Sequence, residues 1–328
     1  MSHFPTVRMR RTRAHDWSRR LVRETRPAVD DLIWTLVASD SKTERTPVPS
    51  LPGVSRLNLD GLVKAAKEAE ELGIPAIAIF PHIDPSHKDA QATESLNEGG
   101  LVPEAVRAVK AACPGLGVIV DVALDPYTDH GHDGVMTGDI IDNDPTLNIL
   151  AESAIILAKS GADIVAPSDM MDGRVGAIRD ALDEEKFGDT MIMSYAAKYA
   201  SGFYGPYRDA IGTKAALRGD KRTYQMDPAN RSEAIREVEL DINEGADMLM
   251  VKPGLPYLDI IRDLKNTFAM PTFAFQVSGE YAMIKAAGAN GWIDEDAVMM
   301  ESFGAFRRAG CDGVLTYFAR DIARKLRA

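Results

Sequence analysis

The stretch "EGADMLMVKPG" (residues 244–254) decides how this chain is read. A polar helical segment ends in Gly245, which suits the left-handed C-cap of a helix. Met248 to Val251 then form a continuous apolar run, the pattern of a parallel strand buried on both faces. Lys252 closes the run. The same form recurs in "ELGIPAIAIFP" (71–81), "SGADIVAPSD" (160–169) and "AGCDGVLTYFA" (309–319). The spacing is irregular, so this is not a solenoid repeat.

Working outward, such runs give eight strand candidates: 32–38, 76–80, 118–122, 163–166, 191–195, 247–251, 272–277 and 313–317. Helical patterns lie between most of them, at 59–72, 101–112, 145–159, 230–244 and 294–308. Eight alternating strands and helices predict a (β/α)8 TIM barrel over residues 31–328. A doubly wound open sheet is the competing architecture. It is weakened because no glycine-rich phosphate loop follows an early strand. Residues 1–30 stand apart as an arginine-rich N-terminal arm. Phe4, Trp17 and Leu21 give such an arm something to bury on a neighbouring subunit, whereas a free basic tail would not need Trp17.

The 328 residues suffice for one large barrel plus an extension, and a hydrophobic fraction of 45% supplies a full core. A net charge of -11 argues against nucleic acid or an anionic membrane as partner. An acidic substrate would therefore need a local cationic pocket. Cys113 and Cys311 cannot build a disulfide framework or a cysteine zinc site, and read as packed thiols of a reducing compartment. With no run of about 20 apolar residues and no signal-like N-terminus, the expected location is cytoplasmic.

Chemistry in a barrel collects at the C-terminal strand ends. Here the third candidate strand ends in Asp121, followed by "ALDPYTDHGHDG" (123–134), and the fourth ends in "PSDMMDGR" (167–174). The fifth leads to Lys198. The sixth ends in Lys252, the seventh in Ser278 and the eighth in Tyr317. A single polar residue there is ordinarily a helix cap; six consecutive strands carrying one point to a site. Burial lowers a lysine pKa because the charged form is desolvated, and a second cation lowers it further. Lys252, with Lys198 nearby, could then attack a ketone as a neutral amine and form a Schiff base. The competing reading is a lysine that snorkels to the barrel mouth. The segment 198–225 is too long for an ordinary connection and carries Arg208, Lys221 and Arg222. It reads as a glycine-hinged lid that binds an acidic substrate, or else as a solvated basic loop.

Several segments resemble the porphobilinogen synthase (5-aminolevulinate dehydratase) family: "KYASGFYGPYRDA" (198–210), "MVKPGLPYLDI" (250–260), "QVSGEYAMI" (276–284), "SLPGVSRLN" (50–58) and "APSDMMDGRVGAIRDALD" (166–183). The likeness runs from about residue 8 to the C-terminus. It implies a barrel with an N-terminal arm in homo-octamers. It also implies condensation of two 5-aminolevulinate molecules into porphobilinogen with loss of two waters, a step of tetrapyrrole synthesis. Carried over, Lys252 would hold the first substrate and Lys198 the second as Schiff bases. Ser278 and Tyr317 would bind the first carboxylate, and Arg208, Lys221 and Gln225 the second. Asp121 and Ser168 would help position the reacting amines.

The resemblance also bears on metals. Zinc-dependent members carry three cysteines where this chain has Ala123, Asp125 and Asp133, so no catalytic zinc is expected. Carboxylates favour hard cations. Asp125 and Asp133 are left to hold a substrate ammonium or a monovalent cation. His130 and His132 tempt a zinc reading, but neighbouring loop histidines are more often hydrogen-bonded structure. Glu237 matches an allosteric Mg²⁺ ligand at a subunit interface. Phe275 departs from the family's usual tyrosine; its ring can still stack on a substrate, but the hydroxyl is gone. Two rivals are a class I Schiff-base aldolase, which would need a phosphate site after strands seven and eight, and a catalytically dead regulatory oligomer, which would be expected to have lost Lys198 or Lys252.

Overall fold

The computed structural model describes residues 3–213, 216, 217 and 219–327. Eight parallel strands form the barrel: β1 (Leu32–Ser39), β2 (Ala76–His82), β3 (Gly117–Val122), β4 (Ile164–Pro167), β5 (Met191–Lys198), β6 (Met248–Lys252), β7 (Thr272–Gln276) and β8 (Gly313–Thr316). They neighbour one another in chain order, and β8 pairs with β1 at Leu32↔Val314, Ile33↔Leu315 and Trp34↔Thr316. That closure excludes the open doubly wound sheet. A short hairpin, Arg45–Pro47 with Ser55–Leu57, attaches to β1 through Val37↔Arg56 and Ala38↔Leu57.

All eight expected strands are present, with shifted ends. The run expected at 191–195 extends through Lys198, and the run expected at 272–277 stops at Gln276 because Val277 caps the next helix. The helices expected from the periodicity fall at Leu59–Glu71, Leu101–Ala112, Asn143–Lys159, Ser232–Asn243 and Glu295–Ala309. Phe80, Phe275, Phe303, Phe306 and Phe318 are fully buried, and each such side chain contributes roughly 1.5–3 kcal/mol.

The recurring glycines act as expected. Gly73, Gly161, Gly245 and Gly310 all have φ between +74° and +115°, where a side chain would be strained. The aspartates that follow two residues later have a role that the hydrophobic pattern did not reveal. Asp163, Asp247 and Asp312 precede β4, β6 and β8. Their carboxylates accept the backbone N–H groups of Val118, Ile192 and Thr272 at 2.8, 2.7 and 2.7 Å. Each locks the start of one strand to the strand before it, at the barrel face opposite the chemistry.

The N-terminal arm holds a 3-10 turn at Met9–Arg13 and a helix at Asp16–Leu21. Phe4, Trp17 and Leu21 are 70%, 61% and 72% exposed, so the barrel of its own chain does not cover them.

Candidate active site

The two lysines meet because of an irregularity in β5. Leu249 of β6 pairs with Ser194, but Val251 pairs with Ala197, so β5 carries one extra residue. A bulge of this kind reverses the facing of everything beyond it. Ser194 points outward, where its hydroxyl donates to Asp241 at 2.6 Å. Lys198, four residues on, would share that face in a regular strand. It instead lies beside Lys252 in register, and both side chains enter the barrel mouth.

Lys252 is 4% exposed. Its Nζ lies 4.9–5.5 Å from the ring centres of Tyr195, Tyr204, Tyr207 and Phe275. Burial, then the charge of Lys198, brings its pKa down to about 7, against the opposing pull of Asp121. Roughly half of these amines are therefore neutral near pH 7, about a thousandfold more than for a free lysine. Asp121 is pushed up to about 6, chiefly by burial, and its Oδ1 has no hydrogen-bond partner.

Lys198 differs in its surroundings. Its Nζ donates to the carbonyl of Ser168 and lies 3.4 Å from Asp133 Oδ1. Lys221 reaches in from the lid and places its ammonium 3.0 Å from Asp125 and 2.5 Å from Asp133. Burial alone would lower the Lys221 pKa; the two carboxylates overcome it and raise it. Asp125 and Asp133, expected to hold a substrate ammonium or a monovalent cation, thus hold an ammonium of their own chain. Among the described residues no group of three or more His, Cys, Asp or Glu side chains is placed to hold a metal. His132 Nδ1 and the Tyr224 hydroxyl are 3.0 Å apart, and His130 Nδ1 accepts from the His132 N–H at 3.3 Å.

The lid closes the mouth with a 3-10 turn, Gly202–Tyr204, and a short helix, Gly205–Ala210. The Tyr204 hydroxyl donates to the carbonyls of Tyr199 and Lys252 at 2.7 and 3.2 Å. The Tyr207 N–H donates to Ser278 Oγ at 2.8 Å. A small cavity remains, bringing together Asp125, Ser168, Lys198, Arg208, Lys221, Gln225 and Lys252 with the two lid tyrosines. Ser278 and Tyr317 do not line it. Phe275 packs 6.2 Å from the Tyr317 ring, and the buried Tyr317 hydroxyl has no partner. Glu237 lies on Ser232–Asn243 and lines an open groove with Asp172 and Glu233. Burial and then Asp241 raise its carboxyl pKa.

Sequence reasoning did not single out the tyrosines around Lys252, although two lie inside a quoted motif. It also passed over Glu280 in "QVSGEYAMI". This buried carboxylate accepts the N–H groups of Leu255 and Val277 at 2.6 Å and of Gly254 at 3.2 Å. It ties the loop after Lys252 to the loop before Ser278. Burial pushes its pKa to about 7 against those hydrogen bonds.

Fold and site together define a class: a (β/α)8 enzyme with two adjacent lysine amines at one mouth, one of them with its pKa brought down by burial to about 7. Its family follows from comparison with known proteins. The model of delta-aminolevulinic acid dehydratase matches residues 6–325, and the chain belongs to that family. A delta-aminolevulinic acid dehydratase of Bradyrhizobium diazoefficiens is 59% identical over 321 residues, covering 98% of this chain and 91% of the relative. One from Rhodobacter capsulatus is 50% identical, covering 99% and 98%. Among solved structures, the delta-aminolevulinic acid dehydratase (porphobilinogen synthase) of Toxoplasma gondii ME49, in complex with the reaction product porphobilinogen, superposes with a TM-score of 0.95. It shares 48% identity and covers 97% of this chain and 91% of its own.

Proposed function

We propose that this chain condenses two molecules of 5-aminolevulinate into porphobilinogen, with Schiff bases on Lys252 and Lys198. The observation that carries this reading is the in-register pair of buried lysines, with the Lys252 pKa near 7. A neutral amine can add to a ketone, and each imine formed releases one water. A C–C and a C–N bond then join the substrates and return both lysines as amines, so two waters leave in all. Arg208, Lys221 and Gln225 take the second substrate's carboxylate. Ser278 and the unpartnered Tyr317 hydroxyl take the first one's. Asp121 and Ser168 position the reacting amines. Fixing the two substrates relative to each other supplies much of the rate. The class I aldolase reading lacks the family match.

The assembly is a cytoplasmic homo-octamer in this proposal, with the arm on a neighbouring subunit. No helix of the described residues is long and apolar enough to cross a membrane. Glu237, a half-buried carboxyl near Asp241, suits a stimulating Mg²⁺ together with arm arginines. Catalytic zinc is not part of the proposal: Asp125 and Asp133 offer hard oxygens, both already paired with the Lys221 ammonium, and Ala123 offers nothing. EDTA-treated enzyme should gain activity and size on adding Mg²⁺; no change in either removes the allosteric metal.

Borohydride reduction in the presence of 5-aminolevulinate tests the central claim. Mass should be added on Lys252, by peptide mass spectrometry. An unmodified Lys252 under turnover conditions would refute it.

A further inference from the structure

The hairpin that carries "SLPGVSRLN" takes no part in the eight-stranded barrel, yet it reaches the lid. Arg56 is fixed by the pairing of its strand to β1. From there its Nε donates to the carbonyl of Ala210 at 2.8 Å and its Nη2 to the carbonyl of Asp209 at 2.7 Å. These are C-terminal carbonyls of the short lid helix, where the negative end of the helix dipole favours a cation. A second tie comes from the Ser50 hydroxyl, which donates to the Asp209 carboxylate. The same hairpin holds the next wall of the site, since the Tyr281 hydroxyl donates to the Pro52 carbonyl at 2.6 Å.

The far end of the lid helix is held separately, by the Tyr207 N–H on Ser278. Tyr207, at that tie, has its ring 4.9 Å from Lys252 Nζ, and Arg208, between the two ties, lines the cavity. A six-residue helix has little stability of its own, so its orientation is set by what grips it.

We propose that Arg56 is a positioning residue of the condensation: it grips the C-terminal end of the lid helix and so aims Tyr207 and Arg208 at the lysine pair. The inference rests on the reading of the site given above. It touches neither substrate nor the reacting atoms. Its effect belongs on the second substrate, whose carboxylate Arg208 takes, and not on formation of the first imine at Lys252.

The test uses full-length Arg56→Met and Arg56→Lys enzymes. Arg56→Met should raise KM for 5-aminolevulinate roughly tenfold or more, the loss expected for charge-assisted hydrogen bonds. Arg56→Lys keeps one cation and one reach, and should fall between that variant and wild type. Borohydride should still trap substrate on Lys252 in both, and trypsin should cut faster after Arg208 or Arg222. KM within twofold of wild type in Arg56→Met, with unchanged tryptic cleavage, overturns the proposal. So does a loss of activity that only tracks the unfolded fraction, measured by circular dichroism, in both variants. Absence of trapping on Lys252 in the wild type would instead remove the reading of the site itself.

Discussion

Replacing Lys252 with methionine should yield an enzyme that is inactive and more stable than the wild type. The activity loss follows from removal of the amine that forms the first imine, and turnover should fall by several orders of magnitude. The gain in stability follows from the pKa. A lysine held at about 7 in the folded protein and at 10.5 when unfolded costs about 4 kcal/mol near pH 7.5. Methionine has a similar length, carries no charge, and makes favourable sulfur contacts with the rings of Tyr195, Tyr207 and Phe275. Part of the gain is offset by cation–π attraction lost from the protonated fraction, so about 2–4 kcal/mol should remain. That corresponds to a rise in melting temperature of several degrees. Because the folded pKa lies below the unfolded one, the wild-type penalty is full below about pH 7. It fades as pH rises toward 10.5. The difference in melting temperature should therefore be largest at pH 6–7 and shrink at higher pH. Calorimetry of both proteins across that range, with a turnover assay, checks the argument. A variant that makes pyrrole at a normal rate, or that melts several degrees lower at pH 7, refutes it.

The same titration should shape the rate. The kcat/KM profile should rise through an apparent pKa near 7 as Lys252 loses its proton; a profile flat from pH 5.5 to 8.5 would contradict this. Lys198→Met should remove the second amine from the mouth while leaving Lys252 in place. Turnover should be lost while borohydride still traps one substrate on Lys252, read by peptide mass spectrometry. Asp247→Ala should strip the acceptor from the Ile192 N–H and cost about 1–3 kcal/mol in urea denaturation. Its kcat should stay within about twofold of wild type, because this contact lies at the face remote from the chemistry.

What the sequence determined by itself was local. Continuous apolar runs marked all eight strands, four of them after left-handed glycines, because burial on both faces leaves no alternation to misread. Lys252 was legible for the same reason, as a charge at the end of such a run. What only the tertiary structure decided depends on pairing between distant segments. The facing of Lys198 turns on one extra residue in β5, visible only against the register of β6. The partner of Asp133 is Lys221, 88 residues away, and no periodicity links the two. The grip of Arg56 on the lid and the ring of tyrosines around Lys252 arise likewise, because closing the barrel brings side chains together that the chain order keeps apart.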